Sequence, residues 1–298
     1  EELGENTLGG LADYRQSLQS VDDRDPRGFI IPSSQADFAT ATKFINTLIK
    51  NGVDVHQAGD DFDIGNHSYP SGSYVVKANQ AFRPHVMDMF TAQQHPNDFA
   101  YPGGPPTPPY DNAGWTLAFQ MGVEFDPIFV ALDGPFERLE ELQVIADGIF
   151  VGQGEDGYLF DHSQNNSFLV LNKLLEKGHE VHWLLDETDT SDLSEGAFYV
   201  EQEGFAGESA REMTEGTGVD FLRSSAPKGS TIQLKKPRIA LWDQYGGSMP
   251  SGWTRKILED FEFEFSVVFP QDLANTDLAS QFDVIILEDG AIPNVGTS

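Results

Sequence analysis

Two stretches of this chain carry the same order of folding signals, and that duplication narrows the architectures open to it. The first, GFIIPSSQADFATATKFINTLIKNGVDVHQ, begins at Gly28. Its apolar run Phe29 to Ile31 reads as a buried strand. Ser34, three residues before Asp37, predicts a capping-box start for a helix. Phe38, Ala41, Phe44, Ile45, Leu48 and Ile49 recur at helical spacing and give one apolar face. Lys50 suits the negative end of the helix, Gly52 can take the left-handed C-terminal cap, and VDVH continues as a strand. The second stretch, GYLFDHSQNNSFLVLNKLLEKGHEVHWLL, begins at Gly157 and repeats this order. Its Ser163–Gln164 echoes Ser34–Gln35, and Phe168, Leu171, Leu174 and Leu175 face inward. Lys177–Gly178 then closes the helix ahead of another strand. Downstream, YPSGSYVV (Tyr69–Val76) matches LSEGAFYV (Leu193–Val200), each predicted as a hairpin arm after a glycine turn. Strand–helix–strand predicts a crossover between parallel strands, so two related α/β units are expected.

A third unit begins at KPRIALWDQYGGSMPSGWTRKILEDFEFEFSVVFP. Strand Arg238–Trp242, a Gly-rich turn, a helix with Trp253, Ile257, Leu258 and Phe261, and strand Phe265–Phe269 are expected. FDVIILEDGAI supplies one more buried strand. Parallel sheets have both faces covered, so this last unit is expected to be cut short. The predicted organisation is a lead-in at 1–27, a first α/β unit at 28–151 with a proline-rich loop at 95–111, a second at 152–234, and the third at 235–298. The fold class expected is α/β: repeated Rossmann-like or flavodoxin-like units, mainly parallel sheets with helices on both faces, plus β-hairpin arms.

Several short patterns invite a chemical reading. His179–Glu180–Val181–His182 has the look of a zinc motif. On a strand, however, residues three apart point to opposite faces, and Gly178 has just ended a helix. In the first copy His182 matches His56, whereas His179 matches Val53. GQGEDG (Gly152–Gly157) fits G-x-G-x-x-G, but a strand follows it where a dinucleotide site needs a helix, so it reads as a linker. HVMD (His85–Asp88) and HPND (His95–Asp98) have a His-x-x-acid spacing that can put two ligands on one helix face. His85, Asp88 and His95 are therefore the candidate metal ligands. A self-contained metal-dependent hydrolase would use His85, Asp88 and one of His95, His162, His179 or His182 around the metal.

The stretch HPNDFAYPGGPPTPPYDNAGW (His95–Trp115) predicts a stiff extended loop of polyproline character. It reads as a docking strap or lid, or as a rigid connector, with Tyr101, Tyr110 and Trp115 as candidate binding residues. DQYGGSMPSGW (Asp243–Trp253) joins a strand to a helix. Its free N–H groups could hold an anion or oxyanion, and a tight crossover turn explains the same glycines. Ser248 and Ser251 read as caps, not nucleophiles, because no histidine follows to activate them. A small-molecule module would place its ligand at the carboxyl ends of the strands, near Pro32–Ser34 or Asp161–Ser163.

Composition removes whole classes of chemistry. Asp plus Glu number 48 against 18 Lys plus Arg, a formal net charge of -30. Such a surface repels nucleic acid and anionic lipid. No run reaches the ~18 apolar residues a membrane span needs. The chain has 0 cysteines, which excludes disulfides, thiolate metal sites and a cysteine nucleophile. Its first residues, EELGENTLGG, have no basic or apolar export region, so a mature or excerpted chain is expected.

DPRGFIIPSSQADFATATKFINTLIKNGVDVHQA, YPSGSYVVKANQAFRPHVMDMF and HPNDFAYPGGPPTPPYDNAGWTLAFQMGVEFD resemble the region downstream of the catalytic domain in large bacterial zinc carboxypeptidase-like proteins. The resemblance covers most of Asp25 to Phe136. PRIALWDQYGGSMPSGWTRKILEDFEFEFSVVFP resembles the start of the class I glutamine amidotransferase-like domain that ends such proteins. The first family binds zinc through His-x-x-Glu and a distant His, yet no histidine here has Glu three residues on. The second uses a cysteine nucleophile, which this chain lacks. The resemblance therefore implies an accessory, non-catalytic segment of a periplasmic or extracellular metallopeptidase. It would support the peptidase domain of the same polypeptide or bind peptide substrate. No cofactor is expected in this chain, and zinc is expected only in the catalytic domain.

Overall fold

In a computed structural model, residues 25–92, 98–108, 116–185, 196–203, 205, 208–275 and 277–292 are described. They form two compact units, 1–144 and 145–298. Unit 1 runs β1 (Gly28–Ile31), α1 (Phe38–Lys50), β2 (Val55–Ala58), β3 (Phe62–Ile64), β4 (His67–Tyr69), β5 (Tyr74–Lys77), α2 (Arg83–Phe90), α3 (Leu117–Gln120), β6 (Asp126–Ile128) and β7 (Phe136–Arg138). Its sheet has the order β6-β1-β5-β2-β7 with every neighbouring pair antiparallel.

The parallel sheet expected for this unit is therefore corrected. β1 and β2 do point the same way, because each is antiparallel to β5, but β5 lies between them. A helical crossover sets only the relative direction of the strands it joins. Tyr74, Val75 and Val76 are all buried, and a strand buried on both faces belongs at the centre of a sheet. The stretch read as a hairpin arm supplies the middle strand of the sheet.

α1 starts one turn later than the capping box implied: Asp37 is its N-cap and accepts from Thr40 N at 2.9 Å. Gly52, at φ 87°, turns the chain after the helix. Phe44, Ile45 and Leu48 bury one helix face against Phe29, Val55 and Val76, each side chain contributing about 1.5–3 kcal/mol. Phe29 stacks on Phe90 of α2 at 4.2 Å. The opposite sheet face is covered by the β3–β4 hairpin through Phe62, Ile64 and Tyr69.

Unit 2 continues with β8 (Phe150–Gly152), β9 (Gly157–Phe160), α4 (Asn165–Glu176), β10 (Val181–Leu184), β11 (Phe198–Glu201), α5 (Glu208–Thr214), β12 (Phe221–Ser224) and β13 (Thr231–Gln233). Its first sheet has the order β13-β10-β11-β9-β12-β8. Except for the parallel β12–β8 pair, all neighbours are antiparallel. Five of these strands repeat the order and directions of unit 1, with β11 inserted where β5 stands. The register matches too: Val55 faces Val76 as Val181 faces Val200. His182 thus occupies the place of His56. GQGEDG links β8 to β9 within this sheet, and a Cβ on Gly154 or Gly157 would meet backbone atoms at 2.6 and 2.4 Å. Close packing, not phosphate, explains those glycines.

The rest of unit 2 is β14 (Ile239–Trp242), α6 (Met249–Asp260), β15 (Phe265–Val268), α7 (Pro270–Asn275), α8 (Leu278–Gln281) and β16 (Val284–Ile286). Here the sheet, β15-β14-β16, is wholly parallel. Leu258 of α6 packs on Ile239 and Leu241, and Leu273 and Phe282 pack on the other face with Ala240 and Trp242. Trp253 and Ile257 of the same helix are 66% and 58% exposed. Arg238 grips Asp283 through Nη2 at 2.8 Å and Nε at 3.0 Å, which fastens β14 to β16. Those hydrogen bonds hold the Asp283 carboxyl down to about 2. Asn172 Nδ2 donates to Phe261 O at 2.8 Å, joining α4 to the end of α6.

His56 generates a test of the first sheet. Burial, reinforced by the Lys77 charge, pushes its imidazole below the usual range, and Nδ1 is enclosed without a hydrogen bond. The unfolded chain takes up a proton near pH 6.5 that the folded chain refuses, so stability falls as pH drops below about 6.5 and levels off beneath the folded value. Urea midpoints measured across this range should fall with acid, and His56→Gln should flatten the slope. An unchanged slope in the variant would remove the assignment.

Candidate functional site

Among the described residues, three enclosed and unpartnered polar atoms belong to the loop and first helical turn that follow β9. α4 follows β9 after only four residues, so the loop Asp161–Gln164 is held tightly between strand end and helix start. Asp161 organises that loop, accepting Ser163 N at 3.0 Å and Ser163 Oγ at 2.7 Å. His162 Nδ1 lies 3.5 Å from Asp161 Oδ1 but makes no hydrogen bond. Gln164 is the N-cap of α4 yet places no side-chain bond on the helix, and its Oε1 is enclosed and unpartnered. Ser167, in the first helical turn, is fully buried with Oγ unpartnered as well.

Trp183 from β10 completes the corner, its ring centroid 6.4 Å from that of His162. Gly196, at φ 94°, admits both rings: a Cβ there would meet His162 Cε1 at 3.0 Å and Trp183 Nε1 at 3.1 Å. Trp183 is 37% exposed, so the corner opens to solvent along one aromatic face. A few convergent polar groups beside an aromatic ring can orient a small ligand. No acid–base pair aimed at a common point is formed, since Asp161 is spent on Ser163.

The parallel sheet offers a second crevice, between the carboxyl ends of β14 and β16, where the strand order reverses. Arg255 Nη2 lies 3.7 Å from Asp243 Oδ2 on one side, and Thr254 Oγ1 donates to Glu288 on the other. Gly246 and Gly247 have φ 94° and 87°, so the crossover turn accounts for them. Ser248 caps α6, accepting from Ser251 N at 3.5 Å. Ser251 is not a cap: it is buried, with Oγ unpartnered.

The residues singled out in the sequence fall elsewhere. His85 and Asp88 share a face of α2, three residues apart. His95, Tyr110 and Trp115 lie outside the described residues. Among the described residues, no three His, Asp or Glu side chains are grouped to hold a metal ion. Tyr101 is exposed, but the described part of its loop is not an extended strap. Gly104 N donates to Tyr101 O at 2.8 Å, Gly103 has φ 79°, and Phe99 bridges Pro106. Pro102–Gly103 is therefore the centre of a type II turn, and the chain folds back on itself. His179 and His182 diverge: His179 packs edge-on to Phe205, while His182 Nδ1 lies 3.4 Å from Thr231 Oγ1.

Sequence reasoning pointed to Asp161–Ser163 but missed Gln164, Ser167 and Trp183. The signal was present in the duplication, because Trp183 stands where the first copy has Gln57. No protein-family model, curated protein or solved structure matches this chain.

Gly196 and Gly178 test the packing of the corner. Both have positive φ, but nothing lies within 4 Å of a Cβ on Gly178. Gly178→Ala carries the backbone penalty alone, about 1 kcal/mol. Gly196→Ala must also displace His162 or Trp183 and should cost roughly 2–3 kcal/mol, read as a larger drop in Tm. Equal losses would contradict the close fit.

Proposed function

We propose that this chain is an accessory, non-catalytic α/β segment of a larger zinc carboxypeptidase-like protein, and that it supports the peptidase domain or its peptide substrate. The parallel part of unit 2 is, in this reading, one portion of an amidotransferase-like doubly wound sheet, the finer Rossmann-like character being confined to it. Catalytic zinc belongs to the peptidase domain, and the polypeptide works in the periplasm or outside the cell. The sequence resemblance supports this reading at both ends of the chain.

One structural observation carries it. β16 is an edge strand of a parallel sheet, and Val284, Ile285 and Leu287 along it are exposed. Sheets of this kind are covered on both faces, so further protein packed along β16 accounts for those apolar side chains. A surface of this sort suits a scaffold that other layers complete.

Two measurements test the proposal. The purified chain, given zinc and peptides with free carboxyl termini, should release no C-terminal amino acid by mass spectrometry; chelator-sensitive turnover would refute the non-catalytic assignment. Val284 N donates to Arg238 O, so the alternate amides of Ile285 and Leu287, which point away from β14, should exchange rapidly in this chain and become protected when it is joined to its proposed catalytic partner. Identical exchange in both would remove the supporting role.

A further inference from the structure

We propose that the corner formed by His162, Gln164, Ser167 and Trp183 binds a neutral saccharide unit. The inference is independent of the supporting role above. It rests on the internal duplicate, which shows the same corner in a closed form.

In unit 1 the positions matching His162, Gln164 and Trp183 are Ser33, Gln35 and Gln57, each bonded to a neighbouring group, while Phe38 stands where unit 2 has Ser167. Ser33 Oγ donates to Ser71 O at 2.8 Å, and Ser33 N donates to Ser73 Oγ at 3.1 Å. Gln57 Nε2 donates to Gly72 O at 3.2 Å. Gln35 Nε2 donates to Pro32 O at 2.9 Å, while its Oε1 accepts from Glu124 N at 3.1 Å. Unit 2 keeps the glutamine and the glycine but replaces Ser33 by His162 and Gln57 by Trp183. The mesh is lost: His162 Nδ1, Gln164 Oε1 and Ser167 Oγ are all enclosed without partners.

Each such atom carries an uncompensated desolvation cost while unsatisfied. A cost that one copy avoids and the other bears is the mark of a site built for an occupant. Ser167 supports this independently of the loop. It is fully buried in the first turn of α4, where side chains lean toward the helix N-terminus and hence toward His162 and Gln164.

The chemistry of the corner selects the ligand. An anion is disfavoured by Asp161 and by the formal net charge of -30. The three unpartnered atoms themselves carry no carboxylate to bind a cation, Asp161 being occupied in organising the loop through Ser163 N and Oγ. What remains is a neutral molecule that can donate to Gln164 Oε1 and both donate and accept at Ser167 and His162. Hydroxyl groups do this. The partly exposed Trp183 ring supplies a flat apolar face for the C–H side of a sugar ring. Seating the ligand requires a small rotation of His162 or Trp183, both of which border the side-chain-free Gly196.

The test uses D-glucose and N-acetyl-D-glucosamine as probes with the whole chain. Saturation-transfer NMR should show contact with at least one sugar at roughly millimolar Kd, with a change in tryptophan fluorescence. The paired substitution His162→Ser and Trp183→Gln installs the residues that unit 1 carries at this corner. It should keep the circular dichroism spectrum and weaken binding at least about tenfold. A crystal structure in saturating sugar gives a readout that does not depend on the variant. Absence of transfer from both sugars, unaltered binding by the variant, or ordered water alone on the three atoms would each overturn the proposal.

Discussion

A strand buried on both faces governs this molecule. Tyr74–Lys77 in unit 1 and Phe198–Glu201 in unit 2 each lie between the two strands that a helical crossover joins. That insertion makes the neighbouring pairs antiparallel and brings the turn ahead of the middle strand beside the carboxyl ends of its neighbours. Gly72 and Gly196 occupy that place. Both corners exist only because a third strand enters between two that were already aligned.

Much of this was legible in the chain. The duplicated strand–helix–strand pattern, the helix ends at Gly52 and Gly178 and the kinship of His56 with His182 all appear in the structure. So does the parallel arrangement of the last three strands. Sheet direction in the first two units was not legible, because apolar spacing records burial and not the identity of the neighbour. Tyr74–Val76 carried the necessary hint: three consecutive buried side chains suit a central strand, not an arm. Apolar spacing along α6 likewise names residues without saying what covers them: Leu258 is buried, whereas Trp253 and Ile257 are exposed.

The candidate site was only half visible. Asp161–Ser163 stood out as a loop at a strand end, but unsatisfied atoms are a tertiary property that no local pattern records. Comparing the copies residue by residue was the available signal. His162 for Ser33 and Trp183 for Gln57 are large changes inside an otherwise kept frame. Of the metal-type spacing, His85 and Asp88 share a helix face, while His95 lies outside the described residues.

The bare margin of β16 has a physical consequence of its own. Unpaired strand edges bearing apolar side chains recruit other strands, including those of identical molecules. Copies of this chain are held apart by their shared negative charge, a force that acts over ~10 Å at 0.1 M salt and only ~3 Å at 1 M. Among the described residues nothing pairs with the outer side of β16, and the acidity that opposes edge-to-edge approach there is weakened by strong brine.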